Sequence, residues 1–223
     1  MPRRPDPDVP VRLVEVAAEL LATEGRPAVT ARRVAAGAGV STQAVYTHFG
    51  GMDDLLAEIW REGFRRFGRA LDAPRVTADP VADFVLQGWG YRAFALGDRH
   101  LYRVMFGDGR YGLRDGDPAD LEAASATYQS LLRRIEACVE AGRWEVTDVF
   151  TAGEVVWGAT HGHVSIELTG YFENLGRDPA RTYREVLRRV AMGFGDHAEA
   201  IDRSLASARR RARRELARNE NTF

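Results

Sequence analysis

The 223-residue chain contains no lysine: all 31 of its basic residues are arginine. That bias fits the codon usage of a GC-rich genome and carries no mechanism by itself. Cysteine is almost missing as well. Cys138 stands alone, which rules out an internal disulfide and fits a reducing cytosol. No apolar run approaches the ~18 residues that a membrane helix needs. The opening MPRRPDPDVP is polar, proline-rich and without a hydrophobic signal core. A cytoplasmic protein with no membrane partner is therefore expected. Alternating β-branched runs are lacking too, so no strand is expected.

Several chemistries are excluded in the same way. There is no nucleophile elbow, phosphate loop or Rossmann fingerprint. His100 with Asp98, or His161 with Ser165, can be imagined as acid–base pairs, but nothing else supports them. No cluster has zinc spacing, and His161 and His163, two apart, diverge by about 200° on a helix. The expectation is no enzyme, no metal and no cofactor.

What remains is an ordinary globular composition, 45% hydrophobic and 28% charged, arranged in helical periods. A first helix starts near Val11 with Val11, Val14, Ala18 and Leu21 as its apolar stripe, and stops at Gly25. A fourth runs from about Asp53 to Leu71, burying Leu56, Ile59, Trp60, Phe64, Phe67 and Leu71. Asp53 and Asp54 in its first turn suit the helix dipole. The aperiodic DAPRVTADP, from Asp72 to Pro80, is the best boundary. Beyond it helices are expected over 80–95, 98–106, 119–141, 147–171 and 179–218, with a Gly- and Asp-rich loop over 107–118.

Between the first and fourth helices lies TARRVAAGAGVSTQAVYTHFG, from Thr30 to Gly50. Thr30 caps a helix, Val34, Ala35 and Ala38 point inward, and Gly39 permits a sharp bend. Ser41 caps a second helix whose Val45 and Phe49 share one face. Small residues at 35 and 39 with Val45 let the two helices cross closely, as in a helix-turn-helix that sets its second helix in the DNA major groove.

Charge is distributed to match. From Gly25 to Met52 there are three arginines, Arg26, Arg32 and Arg33, and no acid. Between Val76 and Ala200 there are 13 arginines against 19 acids, and after Ile201 seven arginines against three. A basic reading head on an acidic body suits a protein that touches DNA with one end. A nucleoid-type structural binder would need far more positive charge.

The first helix, the run VAAGAGVSTQAVYTHF and the following DDLLAEIW resemble the TetR family of bacterial transcriptional regulators. VVWGATHGHVSIEL, with Trp157, His161 and Gly162, resembles the W…HG pattern of one C-terminal branch of that family, and LYRVMF resembles a segment of the same branch. The resemblance implies an all-α homodimer: a three-helix head with the helix-turn-helix, joined to a helical bundle for ligand binding and dimerisation. It departs at Met52, where many members carry a phosphate-contacting lysine; backbone amides at the next helix start can still face a phosphate.

The chain is thus divided into an N-terminal arm (1–10), a DNA-binding domain (11–72), a ligand-binding and dimerisation domain (73–206) and a basic, frayed tail (207–223). Thr42, Gln43, Tyr46 and Thr47 project opposite Val45; Gln43 suits adenine, and Thr42 or Thr47 a thymine methyl or base edge. Tyr46 and His48 suit phosphates. Thr30, Arg32, Arg33 and Ser41 are expected at the backbone. Apolar faces at Val155, Val156, Ala159 and Val164, and at Val186, Val190, Phe194 and Ile201, are candidates for the dimer seam or for ordinary core. Trp89, Tyr91, Phe94, Tyr102, Met105, Phe106, Tyr128, Trp157, His161 and Ser165 are candidates to line a cavity, or again core. The expected activity is that of a repressor released from a pseudo-palindromic double-stranded DNA operator by a small apolar or aromatic effector.

Overall fold

The computed structural model describes residues 6–107 and 118–220, and among them it contains helices and no strand. In chain order these are α1 (Val9–Glu24), α2 (Ala31–Gly37), α3 (Thr42–Phe49), α4 (Met52–Asp72), α5 (Pro80–Gly97), α6 (Arg99–Phe106), α7 (Pro118–Glu140), α8 (Val149–Leu168), α9 (Tyr171–Asn174), α10 (Pro179–Gly193) and α11 (Ala198–Glu220). A 3₁₀ turn, Arg26–Ala28, joins α1 to α2. Two compact units result. One takes in Met1–Phe67 with Gly97–Ser125, the other Gly68–Leu96 with Ala126–Phe223. The expected loop falls on residues 108–117, outside the described part.

In the first unit α1 packs on α2 and α6. Its buried stripe is Val9, Leu13, Val14, Ala17, Ala18 and Leu21. Val11, expected inside, is 44% exposed. The helix begins two residues earlier than expected, with Pro10 in its first turn, and Leu13 with Ala17 carries the inward face. Leu55, Leu56, Ile59 and Phe67 of α4 are buried with Leu101 and Val104 of α6. At Gly63 a methyl group would come within 2.6 Å of Met105, so glycine permits that approach of α4 to α6.

The second unit is built around Phe84, Ile135, Val164, Tyr183, Leu187 and Ile201, each almost fully buried. Three buried carboxylates in it each meet an arginine. Asp83 takes Arg211 at 2.5 Å, Asp196 takes Arg143 at 2.8 and 3.0 Å, and Glu167 takes Arg92 through both oxygens. Burial of these acids is tolerable because each is paired, and Asp83 and Asp196 accept further hydrogen bonds from Thr77 and the His197 amide.

The structure revises two long helices. The stretch 147–171 ends at Leu168, and Gly170, at φ +75°, turns the chain into the short α9. The stretch 179–218 is broken between Gly193 and Ala198. Gly195 adopts φ +92° there, the Phe194 carbonyl accepts from the Glu145 amide at 2.7 Å, and the Phe194 ring packs on buried Trp144. Past residue 207, where fraying was expected, α11 continues, with Ala208 buried and Arg211 bonded to Asp83, Thr77 and the Arg75 carbonyl.

Candidate nucleic-acid interface and effector body

Thr30 has extended dihedrals and its hydroxyl accepts from the Arg33 amide at 3.3 Å, which starts α2. The helix ends in a Schellman arrangement: the Val40 amide bonds the Ala35 carbonyl at 3.0 Å and the Gly39 amide the Ala36 carbonyl at 3.2 Å. That arrangement requires a left-handed residue, and Gly39 supplies it at φ +68°. Val34, Ala35 and Val45 are buried beneath the turn. Ser41 occupies the cap position of α3, but its side chain makes no capping bond. The expected serine cap is therefore absent, and the exposed hydroxyl is available to another acceptor or donor.

Thr42, Gln43, Tyr46, Thr47 and His48 of α3 are all exposed, Tyr46 by 47%; Gln43 and Thr47 lie opposite buried Val45, Thr42 and Tyr46 on one flank and His48 on the other. The Thr47 hydroxyl donates to the Gln43 carbonyl at 2.9 Å. Thr42, Gln43, Tyr46 and Thr47 form one polar ridge round the helix from the buried valine, with His48 set about 100° apart from it.

The arginines differ from expectation. Arg33 donates to both oxygens of Glu24, at 2.8 and 2.7 Å, and Arg26 reaches Asp53 at 3.3 Å. Hydrogen bonding from Arg33 holds the Glu24 carboxyl below its ordinary range. Of the three arginines in the motif, Arg32 is the one not ion-paired with a described residue. The acids doing this sit one residue before and one after the acid-free window.

The ten candidates for a cavity divide between the units. Tyr102, Met105 and Phe106 belong to the first, where Phe106 meets Phe64, Phe67 and Tyr102 at centroid distances of 5.6, 5.9 and 4.9 Å. Trp89, Tyr91, Phe94, Tyr128, Trp157, His161 and Ser165 belong to the second. There Tyr128 and Trp157 lie 6.2 Å apart, as do Trp157 and His161, and the Tyr91 hydroxyl is 2.9 Å from His161 Nδ1. Burial pushes the His161 imidazole below its usual pKa, so it stays neutral near pH 7. The Tyr128 hydroxyl donates to the Phe150 carbonyl at 2.9 Å. Tyr91 and His161 are both cavity candidates from the sequence, but 70 residues separate them and no local signal gives their direct contact.

The remaining candidates resolve as follows. Of the residues offered for the seam or for ordinary core, Val156, Val164 and Ile201 are buried within the protomer, while Val155 is exposed. The Asp98 carboxylate caps α6 through the Leu101 amide at 3.3 Å and meets Arg66 at 3.5 Å. Among the described residues no group of three or more His, Cys, Asp or Glu is placed to hold a metal, and no helix is long and apolar enough to cross a membrane.

This geometry defines a class: an all-α protein with a helix-turn-helix whose second helix offers a polar face, followed by a large helical body. Residues 13–59 match the family described as bacterial regulatory proteins, tetR family, and residues 85–190 match the tetracyclin repressor-like C-terminal domain. The chain belongs to the TetR family of transcriptional regulators and is not an enzyme. Among solved structures, a Rhodococcus sp. RHA1 protein of unknown function is 22% identical, with a TM-score of 0.74 over 87% of this chain and 98% of that one. A bacterial regulatory protein of the tetR family from Rhodococcus RHA1 is 22% identical, with a TM-score of 0.69 over 86% and 100%. RolR in complex with resorcinol is 20% identical, with a TM-score of 0.57 over 88% and 93%. At such identities the likeness shows the fold. No curated protein matches the sequence.

Proposed function

We propose that the protein is a homodimeric repressor that leaves a pseudo-palindromic operator when a small apolar or aromatic effector binds its body. The observation that carries the reading is the polar ridge of α3 above buried Val45. Gln43 reads adenine, Thr42 and Thr47 read a base edge or thymine methyl, and Tyr46 and His48 hold phosphates. Thr30, Ser41 and Arg32 flank the ridge on the backbone side, with Arg33 partly withdrawn by Glu24. Residues 11–72 serve as reading head and 73–206 as body.

Dimerisation supplies the second head. Two heads about 34–36 Å apart match two half-sites one helical turn apart. Exposed Val155 and Ile166 lie eleven residues apart on α8, close to three helical turns, with Gly158, Ala159 and Gly162 between them. No methyl group at Gly158 or Gly162 would meet a neighbour within the protomer. That flat apolar strip is the best candidate for the seam.

The effector site centres on Tyr91, Tyr128, Trp157 and His161. It presents aromatic walls with one neutral imidazole, in the W…HG pattern of one branch of the family. The resorcinol complex of RolR supports an aromatic effector here. Occupancy favours a head spacing that no longer fits both half-sites, so DNA affinity falls by the coupling energy.

Footprinting on the DNA flanking the coding region tests this. Two protected half-sites, lost together in Gln43→Ala/Tyr46→Ala, are expected. Unchanged protection by that variant would remove α3 as the reading helix, and a monomer at micromolar concentration would remove the two-site mechanism.

A further inference from the structure

The second unit carries a cleft of about 500 Å³ between α5, α10 and α11, lined by Trp89, Arg184, Leu205, Arg209, Arg210 and Arg213. A smaller one of about 220 Å³ shares Trp89, Arg184 and Arg209 with it and adds Tyr183. The larger volume lies in the range of small-molecule sites.

Some arginines of this unit are ion-paired: Arg92 with Glu167, Arg143 with Asp196, Arg188 with Asp202, Arg189 with Glu185, Arg211 with Asp83. Arg184, Arg209, Arg210 and Arg213 have no ion pair with a described residue. The acid on the lining, Asp202, is already held by Arg188 at 2.8 Å, which lowers its pKa. Arg209 and Arg213 are moreover one turn apart on α11, where like charges repel. Four arginine side chains thus line one concave, largely apolar surface, and the acid on that lining, among the described residues, is already paired.

We propose that this cleft is a binding site for a small planar anion, an aromatic ring bearing a carboxylate or phosphate. Guanidinium forks match those groups bidentately and the ring stacks on the Trp89 indole, which walls both clefts. The site is separate from the effector group around His161. Trp89 and Tyr91 are two residues apart on α5, so their side chains leave it about 200° apart. The inference stands whether or not the His161 group binds an effector.

Calorimetric titration of the full chain with 1-naphthoate, with neutral 1-naphthalenemethanol and with inorganic phosphate tests it. Naphthoate is expected to bind with one equivalent abolished by Arg184→Gln/Arg209→Gln, an affinity loss of roughly tenfold or more. The variant should melt as the parent does, since both arginines are exposed. Trp89→Leu should weaken naphthoate and leave phosphate unchanged. No naphthoate binding, full affinity in the arginine variant, or equal affinity for the neutral alcohol overturns the proposal. Binding of an acidic polymer such as heparin without naphthoate also overturns it, in favour of a macromolecular partner. Phosphate binding as tight as naphthoate overturns the role of Trp89.

Discussion

Arg33 grips Glu24 through two parallel hydrogen bonds of 2.8 and 2.7 Å, tying the start of α2 to the end of α1. Both side chains are substantially solvated, so the pair adds little to stability. Its larger effect is on function, because a guanidinium held by a carboxylate is a weaker phosphate ligand.

Glu24→Gln is therefore expected to raise affinity for any duplex, specific or not. The plot of log affinity against log salt should steepen by roughly one phosphate contact. Arg32→Ala should do the reverse, weakening binding uniformly across sequences. Fluorescence anisotropy on operator and scrambled duplexes over a salt series measures both. An unchanged slope in Glu24→Gln would show that Arg33 does not reach DNA.

The same pair illustrates what sequence reading could and could not reach. Thr30, Gly39 and Val45 announce the helix-turn-helix locally, because a cap, a left-handed bend and a buried face each need a residue type at one place. Glu24 lay outside a window drawn by that motif, yet one turn of helix brings it back. Longer pairings leave no trace at all: Asp83 with Arg211 and Glu167 with Arg92 span 128 and 75 residues. The sequence offers Tyr102, Met105 and Phe106 as cavity or core residues, but nothing in it names Gly63, Phe64 and Phe67 as their neighbours. The break after Gly193 was hidden because Val186, Val190 and Ile201 keep helical spacing across it.

Gly90 on α5 tests how tightly the second unit is built. A methyl group there would sit 2.6 Å from the Ala70 carbonyl oxygen of α4. The obstacle is backbone, which cannot swing aside like a side-chain end. Gly90→Ala should cost about 1–3 kcal/mol despite the better helix propensity of alanine. Gly97→Ala, where the added methyl meets nothing within 4 Å, should be neutral or mildly stabilising. Urea melts of the two variants check the contrast.

Arg211 anchors α11. Asp83 is 1% exposed and accepts from the Thr77 amide at 2.6 Å, the Thr77 hydroxyl at 2.9 Å and Arg211 at 2.5 Å. Arg211→Ala leaves that carboxylate buried without its cation, a change worth about 3 kcal/mol. The expected result is a lower urea midpoint, with Arg214→Ala, at an exposed position one turn on, as the near-neutral control.

Acid should loosen the second unit through His163. Its ring stacks on Phe172 at 4.8 Å, its Nε2 lies 3.1 Å from the Pro179 carbonyl oxygen, and Glu167 is 3.8 Å away with Arg92 beyond it. Burial is the largest influence and lowers its pKa below 6.5, with Arg92 adding to the fall and Glu167 and Pro179 opposing it. A histidine lowered in the fold takes its proton more readily when unfolded. Its contribution is complete above the ordinary pKa of 6.5 and is lost as pH falls from there through the folded value. His161, lowered by burial alone, acts in the same direction. Melting temperature should thus be flat between about pH 8 and 7 and decline from about pH 6.5 toward 5, ahead of carboxylate titration. His163→Gln, which keeps a donor for Pro179 without a titrating ring, should flatten part of that decline. An unaltered pH profile in this variant would assign the acid sensitivity elsewhere.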